Sequence, residues 1–297
     1  MEKVILTGLG AVGLTYAVKL KNQCDLNILV DQTRFDRYLN IKPIFNGKEQ
    51  EFNYILPSEK FDADLIIITV KSNGLSEVIN NIKNFVSDKT RIISLINGIS
   101  SEEIIKEKYP EAKVLKSYFI GHSAVRIGNS VTQDGVGEIV TEHDDFIEDF
   151  FTKTEINYSI SENIDYAMWL KYTFNLFSNQ TSAILDMTFG DLKRNNSFIK
   201  FAKKIISEVK LIAEYKGIDN IENLEEDSIN LLSRMCDEGK TSMLQDILAK
   251  RPTEIDIFAG EIINLGKKYG INTPYNSVLY DLIKIKEEDN EHCIHTC

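Results

Sequence analysis

Lys171, Asn175 and Asn179 fall at i, i+4 and i+8, so a helix through this stretch stacks one ammonium and two amides along one side. Trp169, Leu170, Phe174, Leu176 and Phe177 surround them, which predicts a largely buried helix with a polar seam. An ammonium withdrawn from water without a partner is costly, so a buried Lys171 is either paired or put to use. A solvated stripe on an amphipathic helix is the alternative this segment alone leaves open. Two further polar groups follow, in Thr241-Ser242-Met243-Leu244-Gln245-Asp246 and Arg251-Pro252-Thr253-Glu254-Ile255-Asp256. Glu254 lies two residues past a proline, which predicts a place in the first turn of a helix, and Ser242 reads as an N-cap.

At the other end of the chain, Gly8-Leu9-Gly10-Ala11-Val12-Gly13 joins a β-rich run, Lys3 to Thr7, to an apolar helical pattern. G-x-G-x-x-G between strand and helix is a dinucleotide-binding signature. Its first glycine permits the tight turn, the second lets backbone approach a pyrophosphate, and the third lets helix and strand pack closely. The helix then offers unpaired N–H groups and a positive dipole end to the phosphates. A second strand, Leu26 to Val30, ends at Asp31, placed to accept from adenosine ribose hydroxyls and to repel a 2′-phosphate; a loop-capping role is the alternative. Arg34 and Arg37 follow closely and could pair with a phosphate, so Asp31 leans toward NADH without deciding it.

The elements that position these groups follow from pattern. Ala63 to Val70 and Thr90 to Ile96 are continuous apolar runs, as in buried parallel strands, with a helix from about Leu75 to Phe85 between them. Lys71 and Asn97 follow those strands, where doubly wound sheets hold their ligands. Asn46-Gly47 predicts a small hairpin. From Ala112 to about Val140 the chain is β-rich, and these strands are expected to complete the sheet; His122 within them is a candidate acid but reads more readily as a packing residue. A helix over Asp144 to Thr152 and a short strand around Ile156 to Ile160 end this half.

Past Ile164 alternation ceases. Five apolar-periodic segments remain, at about 165 to 186, 195 to 216, 224 to 236, 252 to 270 and 274 to 286, with Gly217 and Gly270 as C-caps. The expected organisation is a dinucleotide-binding domain over 1–162 and an all-α substrate domain over 163–297.

Composition narrows the function. The 297 residues, 43% hydrophobic and 27% charged, describe a globular chain long enough for two cores. A net charge of −11 without a basic block argues against nucleic acid. The apolar start meets a glycine turn too soon for a secretory leader, and no run of about 18 apolar residues predicts a membrane span. Cys24, Cys236, Cys293 and Cys297 show no disulfide framework, which suits a reducing cytoplasm. The tail, Glu291 to Cys297, holds possible zinc donors but reads as a loose terminus, so no metal site is expected.

Taken together, the motifs resemble those of the ketopantoate reductase (2-dehydropantoate 2-reductase) family over most of the chain. The resemblance implies an α/β fold: a Rossmann-like doubly wound sheet followed by an all-α C-terminal domain like that of 6-phosphogluconate dehydrogenase. It implies that Gly8, Leu9, Gly10, Ala11, Val12 and Gly13 form the dinucleotide loop, with cofactor contacts from Lys71, from Asn97 near the nicotinamide ribose, and from Ala124. Lys171 resembles the family's proton donor, and Asn175 and Asn179 its substrate contacts. Ser242 takes a substrate-binding role, and Glu254 a ligand-binding one reaching substrate and cofactor. Three positions depart from the family pattern. Asp31 stands where NADPH-dependent members carry a basic residue, Phe189 where an asparagine often meets substrate, and Gly239 where another polar contact is usual.

The implied activity is reduction of ketopantoate to pantoate by NADPH, the family default, or by NADH, on the way to coenzyme A. Reduction of another small 2-oxo acid and non-catalytic nicotinamide sensing are the alternatives. The implied partners are a small-molecule acid and, through the helical half, a second copy of the chain.

Overall fold

The computed structural model describes residues 1–121, 123–135 and 137–295, with side chains described outside 123, 134 and 290–295. The chain forms two compact units, Met1–Ile164 and Asp165–Cys297.

The first unit begins β1 (Lys3–Thr7), α1 (Ala11–Leu20), β2 (Asp25–Leu29), α2 (Gln32–Asn40), β3 (Ile44–Phe45), β4 (Lys48–Glu49), β5 (Asn53–Ile55) and β6 (Leu65–Ile68). It continues α3 (Leu75–Asn81), β7 (Arg91–Ser94), α4 (Ser101–Lys108), β8 (Lys113–Leu115), β9 (Ser117–Ile120) and β10 (Ser123–Ile127). β11 (Ser130–Asp134), β12 (Glu138–Thr141), α5 (Asp145–Lys153) and β13 (Tyr158–Ile160) complete it.

Six strands form a parallel sheet in the order β5-β2-β1-β6-β7-β8. Period-2 alternation sends Val4, Leu6, Leu65 and Ile67 to one face and Ile5, Ile66 and Ile68 to the other. Helix α1 covers the first face with Leu14, Tyr16, Ala17 and Leu20; α3 and α4 cover the second with Leu75, Val78, Ile79 and Ile105. Burial on both faces is why these strands are continuous apolar runs.

The expectation that the strands after Ala112 complete this sheet holds only for β8. β10 and β11 join the β3/β4 hairpin in a four-stranded sheet, and β9, β12 and β13 form a third sheet of their own. Asn46 and Gly47 turn the hairpin with φ of 47° and 78°, as a two-residue turn matched to strand twist requires.

The second unit is helical: α6 (Ile164–Leu185), α7 (Phe189–Arg194), α8 (Asn196–Tyr215), α9 (Leu224–Ser233), α10 (Ser242–Leu248), α11 (Ala259–Tyr269) and α12 (Pro274–His295). Two of these, α7 and α10, are helices of about two turns that periodicity did not reveal. Pro252 does not open a helix; the chain stays irregular to Glu254, makes a 3-10 turn over Ile255–Ile257, and only then enters α11. Thr253 N–H is drawn instead to Glu287 Oε1 at 2.7 Å. The backbone of α12 is helical to His295 where a loose end was expected; Thr296 and Cys297, and the side chains of the tail's candidate zinc donors, lie outside the described residues. Glu208 of α8, 4% exposed, accepts from Tyr275 N, Asn276 N and Asn276 Nδ2 at 2.8, 3.1 and 2.7 Å, which satisfies the buried start of α12. Among the described residues, no helix is long and apolar enough to cross a membrane.

Candidate active site

In the first unit, the candidate cofactor groups gather at the carboxyl ends of four adjacent strands. The glycine loop follows β1, Asp31 follows β2, Lys71 lies past β6, and Asn97 lies past β7. Gly8 turns with φ +90°, and a Cβ there would lie 2.8 Å from Val70 Cγ1. At Gly13 a Cβ would lie 1.8 Å from Gly8 O and 2.4 Å from Thr69 Oγ1, so this glycine lets α1 press against β1. Around Gly10 a Cβ would meet nothing within 4 Å. That open space beside the first N–H groups of α1 fits a pyrophosphate, which needs backbone approach and a positive helix end.

Two residues that sequence reasoning passed over brace the loop. Thr69 Oγ1 donates to Thr7 O and Gly8 O at 2.7 Å each, and Arg126 donates to Leu9 O at 3.1 Å. A cavity of about 270 Å³ opens beside Leu9, between Arg37, Tyr38, Ile41 and Arg126. Ala124 lies in β10, half-buried against the core on the α1 face of the sheet. His122 lies outside the described residues.

Asp31 caps α2, accepting from Arg34 N at 2.7 Å. Its carboxylate also holds the Arg34 guanidinium, which reaches Glu77 Oε1 at 3.4 Å. Arg37 turns the other way, its guanidinium 4.9 Å over the Tyr38 ring. Lys71 is exposed, and Asn97 is half-buried before Gly98, whose φ is +116°.

In the second unit, α6 carries the polar seam. Asn179 is 3% exposed and Lys171 and Asn175 are half-buried, so the stripe is not a wet helix face. Asn179 Nδ2 lies 3.4 Å from Ser242 Oγ. Ser242 is not the cap of α10; Thr241 is, accepting from Leu244 N at 3.2 Å while its own hydroxyl reaches Ser182 Oγ at 3.1 Å. That frees the Ser242 hydroxyl from capping and leaves it exposed at the seam.

Glu254, half-buried, stands at the head of the 3-10 turn. Its segment is pinned on both sides. Arg251 Nε pairs with Asp246 Oδ1 at 2.8 Å, and Tyr172, the neighbour of Lys171, donates to Phe258 O at 2.7 Å. Burial pushes the Tyr172 phenol well above its ordinary value, which keeps it a donor. Tyr172 was invisible to sequence reasoning because its partner lies 86 residues away.

Phe189 opens α7 and stacks on Phe174 of α6, with centroids 6.0 Å apart and planes at 22°. Its edge lies over Gly239, where a Cβ would be 3.0 Å from Phe189 Cδ2. The two departures from the family pattern in this half are therefore one contact.

Comparison with known proteins agrees with this architecture. The family described as "Ketopantoate reductase PanE/ApbA" matches residues 4–144, and "Ketopantoate reductase PanE/ApbA C terminal" matches residues 163–287. A 2-dehydropantoate 2-reductase of Pyrococcus horikoshii is 30% identical over 96% of this chain and 97% of its own. One from Streptococcus pyogenes serotype M6 is 28% identical over the same shares. A solved structure of D-mandelate dehydrogenase with NADH and anilino(oxo)acetate superposes with a TM-score of 0.84 at 25% identity, covering 97% of this chain and 99% of that one. The chain belongs to the ketopantoate reductase family and is an oxidoreductase of that type.

Proposed function

We propose that the protein reduces a small branched 2-oxo acid, ketopantoate first, to the 2-hydroxy acid at the expense of NADH or NADPH. The observation that carries this reading is the α6 seam, where half-buried Lys171 and Asn175 share a side with buried Asn179, whose amide lies 3.4 Å from the Ser242 hydroxyl.

The nicotinamide, when bound, supplies the hydride. The chain must orient the acid and meet the negative charge that develops on the keto oxygen. Lys171 suits that oxygen: its ammonium polarises the carbonyl and gives it the proton that completes the hydroxyl. Asn175 and Asn179 fix the acid through neutral donors and acceptors without adding charge. Ser242 donates to the substrate carboxylate. Glu254 orients Lys171 or accepts from the new hydroxyl, on a segment that the Tyr172 bond moors beside Lys171.

For the cofactor, the ribose-side edge carries two carboxylates, Asp31 and Glu77, around one guanidinium, and Arg37 is turned to Tyr38. This supports NADH as at least competitive with NADPH, and the similar D-mandelate dehydrogenase holds NADH. Exposed Val278, Leu282 and Ile285, at helical spacing on α12, favour a homodimer.

Initial rates on ketopantoate with each cofactor test the reading. Lys171→Ala lowers kcat by about 100-fold or more, as expected for loss of a general acid, with cofactor affinity unchanged. A near-normal rate in that variant would sink the assignment of Lys171.

A further inference from the structure

The segment 236–242 is laid against the start of α7 by two backbone bonds, Phe189 N–H to Gly239 O at 3.0 Å and Gly190 N–H to Asp237 O at 2.9 Å. The approach is too close for side chains. A Cβ on Gly190 would lie 2.9 Å from Asp237 Cβ, and one on Gly239 would lie 3.0 Å from both Cys236 O and the Phe189 ring. Asp237 then takes Lys193 at 2.7 Å and Arg194 at 3.1 Å, which occupies both cations of α7. A capping box between Thr188 and Asp191 fixes where α7 starts.

The same segment therefore presents two unlike groups to α6. Ser242 meets Asn179 at 3.4 Å, and Phe189, seated on Gly239, stacks on Phe174, the residue before Asn175. Behind that pair Phe177 is fully buried and meets Phe174 edge-on at 5.8 Å. Phe189 keeps a partly exposed flank beside its contacts with the Phe174 ring and with Gly239, which has no side chain.

We propose that Phe189, held on Gly239 against Phe174, is the wall that receives the substituent of the 2-oxo acid, so that the protein selects for branched apolar carbon and has no partner there for a hydroxyl. This rests on the proposed 2-oxo acid reduction. An aromatic wall rewards each buried methyl or methylene by about fourfold in affinity. A site that hydrogen-bonds a substrate hydroxyl rejects the analogue lacking it by about 10⁴-fold or more, whereas an apolar pocket discriminates only weakly against an added hydroxyl.

The decisive pair is ketopantoate and 3,3-dimethyl-2-oxobutanoate, which differ by that one hydroxyl. The expected result is that kcat/KM for the deoxy acid lies within about 10-fold of that for ketopantoate. Phe189→Asn should move the ratio toward ketopantoate by about 10-fold, while Phe189→Leu should leave it near the parent value. Because both acids are compared within each variant, the ratio does not depend on the fraction of folded enzyme. A preference for ketopantoate of about 10³-fold or more, or a ratio unmoved by Phe189→Asn, overturns the inference while leaving the reductase reading intact. Failure of both acids with both cofactors overturns the reductase reading and this inference with it.

Discussion

The two units carry their candidate groups in different materials. In the first unit the cradle is backbone and space: glycines at 8, 10 and 13, braced by Thr69 and opened where Gly10 has no side chain. In the second, the candidate face is side chains on α6, of which Asn179 meets Ser242 and Tyr172 meets Phe258, partners distant in sequence. A backbone cradle is written in adjacent residues because only one residue type tolerates it. A side-chain face is written in pairs that the sequence separates.

Two glycine substitutions should separate space needed for folding from space needed for ligand. Gly13→Ala forces a methyl to within 1.8 Å of Gly8 O, a backbone atom that cannot step aside without moving β1. It should cost about 3 kcal/mol or more, at the upper end for overpacking, and show as a large fall in Tm or as insoluble protein. Gly10→Ala meets nothing within 4 Å and has extended backbone, so its stability should stay within about 1 kcal/mol of the parent. Its methyl nevertheless enters the space assigned to the pyrophosphate, and NADH affinity should fall at least about 10-fold. Parent-like NADH binding by Gly10→Ala would mean that the space beside Gly10 does not hold the pyrophosphate.

A second contrast lies in two buried carboxyls. Glu208 takes three donors from the start of α12, whereas Glu102, 6% exposed in the first turn of α4, keeps one bond from Ser101 Oγ at 3.0 Å and has an Oε1 without a partner. Burial pushes the Glu102 carboxyl up to about 7, against the smaller opposing pull of its own backbone N–H, Ser101 and Lys116. An unfolded glutamate titrates at about 4.3, so between that value and 7 the unfolded chain has lost the proton that the folded one keeps. Stability then falls as pH rises through this window and levels off above it, by about 4 kcal/mol in all. Glu102→Gln removes the penalty, so the variant should be the more stable protein at pH 8 by up to that amount and no more stable at pH 4. Urea titrations at both pH values would detect it; a parent-like gap at pH 8 would mean that Glu102 ionises at little cost.

What could be read beforehand divides along the same line. Strands β1, β2, β6 and β7 announce themselves as apolar runs, and the glycine loop and the Asn46-Gly47 hairpin as positions that demand particular backbone angles. Alternation after Ala112 reveals strands but carries no record of their partners, so their division among three sheets was not legible. Helices α7 and α10 are too short to show a period. Between Thr241 and Ser242 two adjacent hydroxyls compete for one cap, and the contact of Thr241 with Ser182 goes with the outcome. The seating of Phe189 on Gly239 joins positions 50 residues apart, and nothing local to either signals it.

The smallest expected effect tests whether the side-chain half is held as a unit. Tyr172→Phe removes one hydroxyl and keeps the ring, which stacks on Phe258 at 5.9 Å and meets Trp169 edge-on at 6.0 Å. The Phe258 carbonyl loses its 2.7 Å donor in a buried place, which should cost about 1 to 2 kcal/mol of stability. If this bond also seats Glu254 relative to Lys171, kcat should fall by a further several-fold, about 0.5 to 1.4 kcal/mol, while cofactor affinity is untouched because the cradle is built elsewhere. Measured with active-site titration to correct for unfolded enzyme, an unchanged kcat beside a lowered Tm would make Tyr172 a strap for α11 alone. The seat of Glu254 would then rest on the Arg251–Asp246 pair, and Asp246→Asn would become the substitution that lowers kcat.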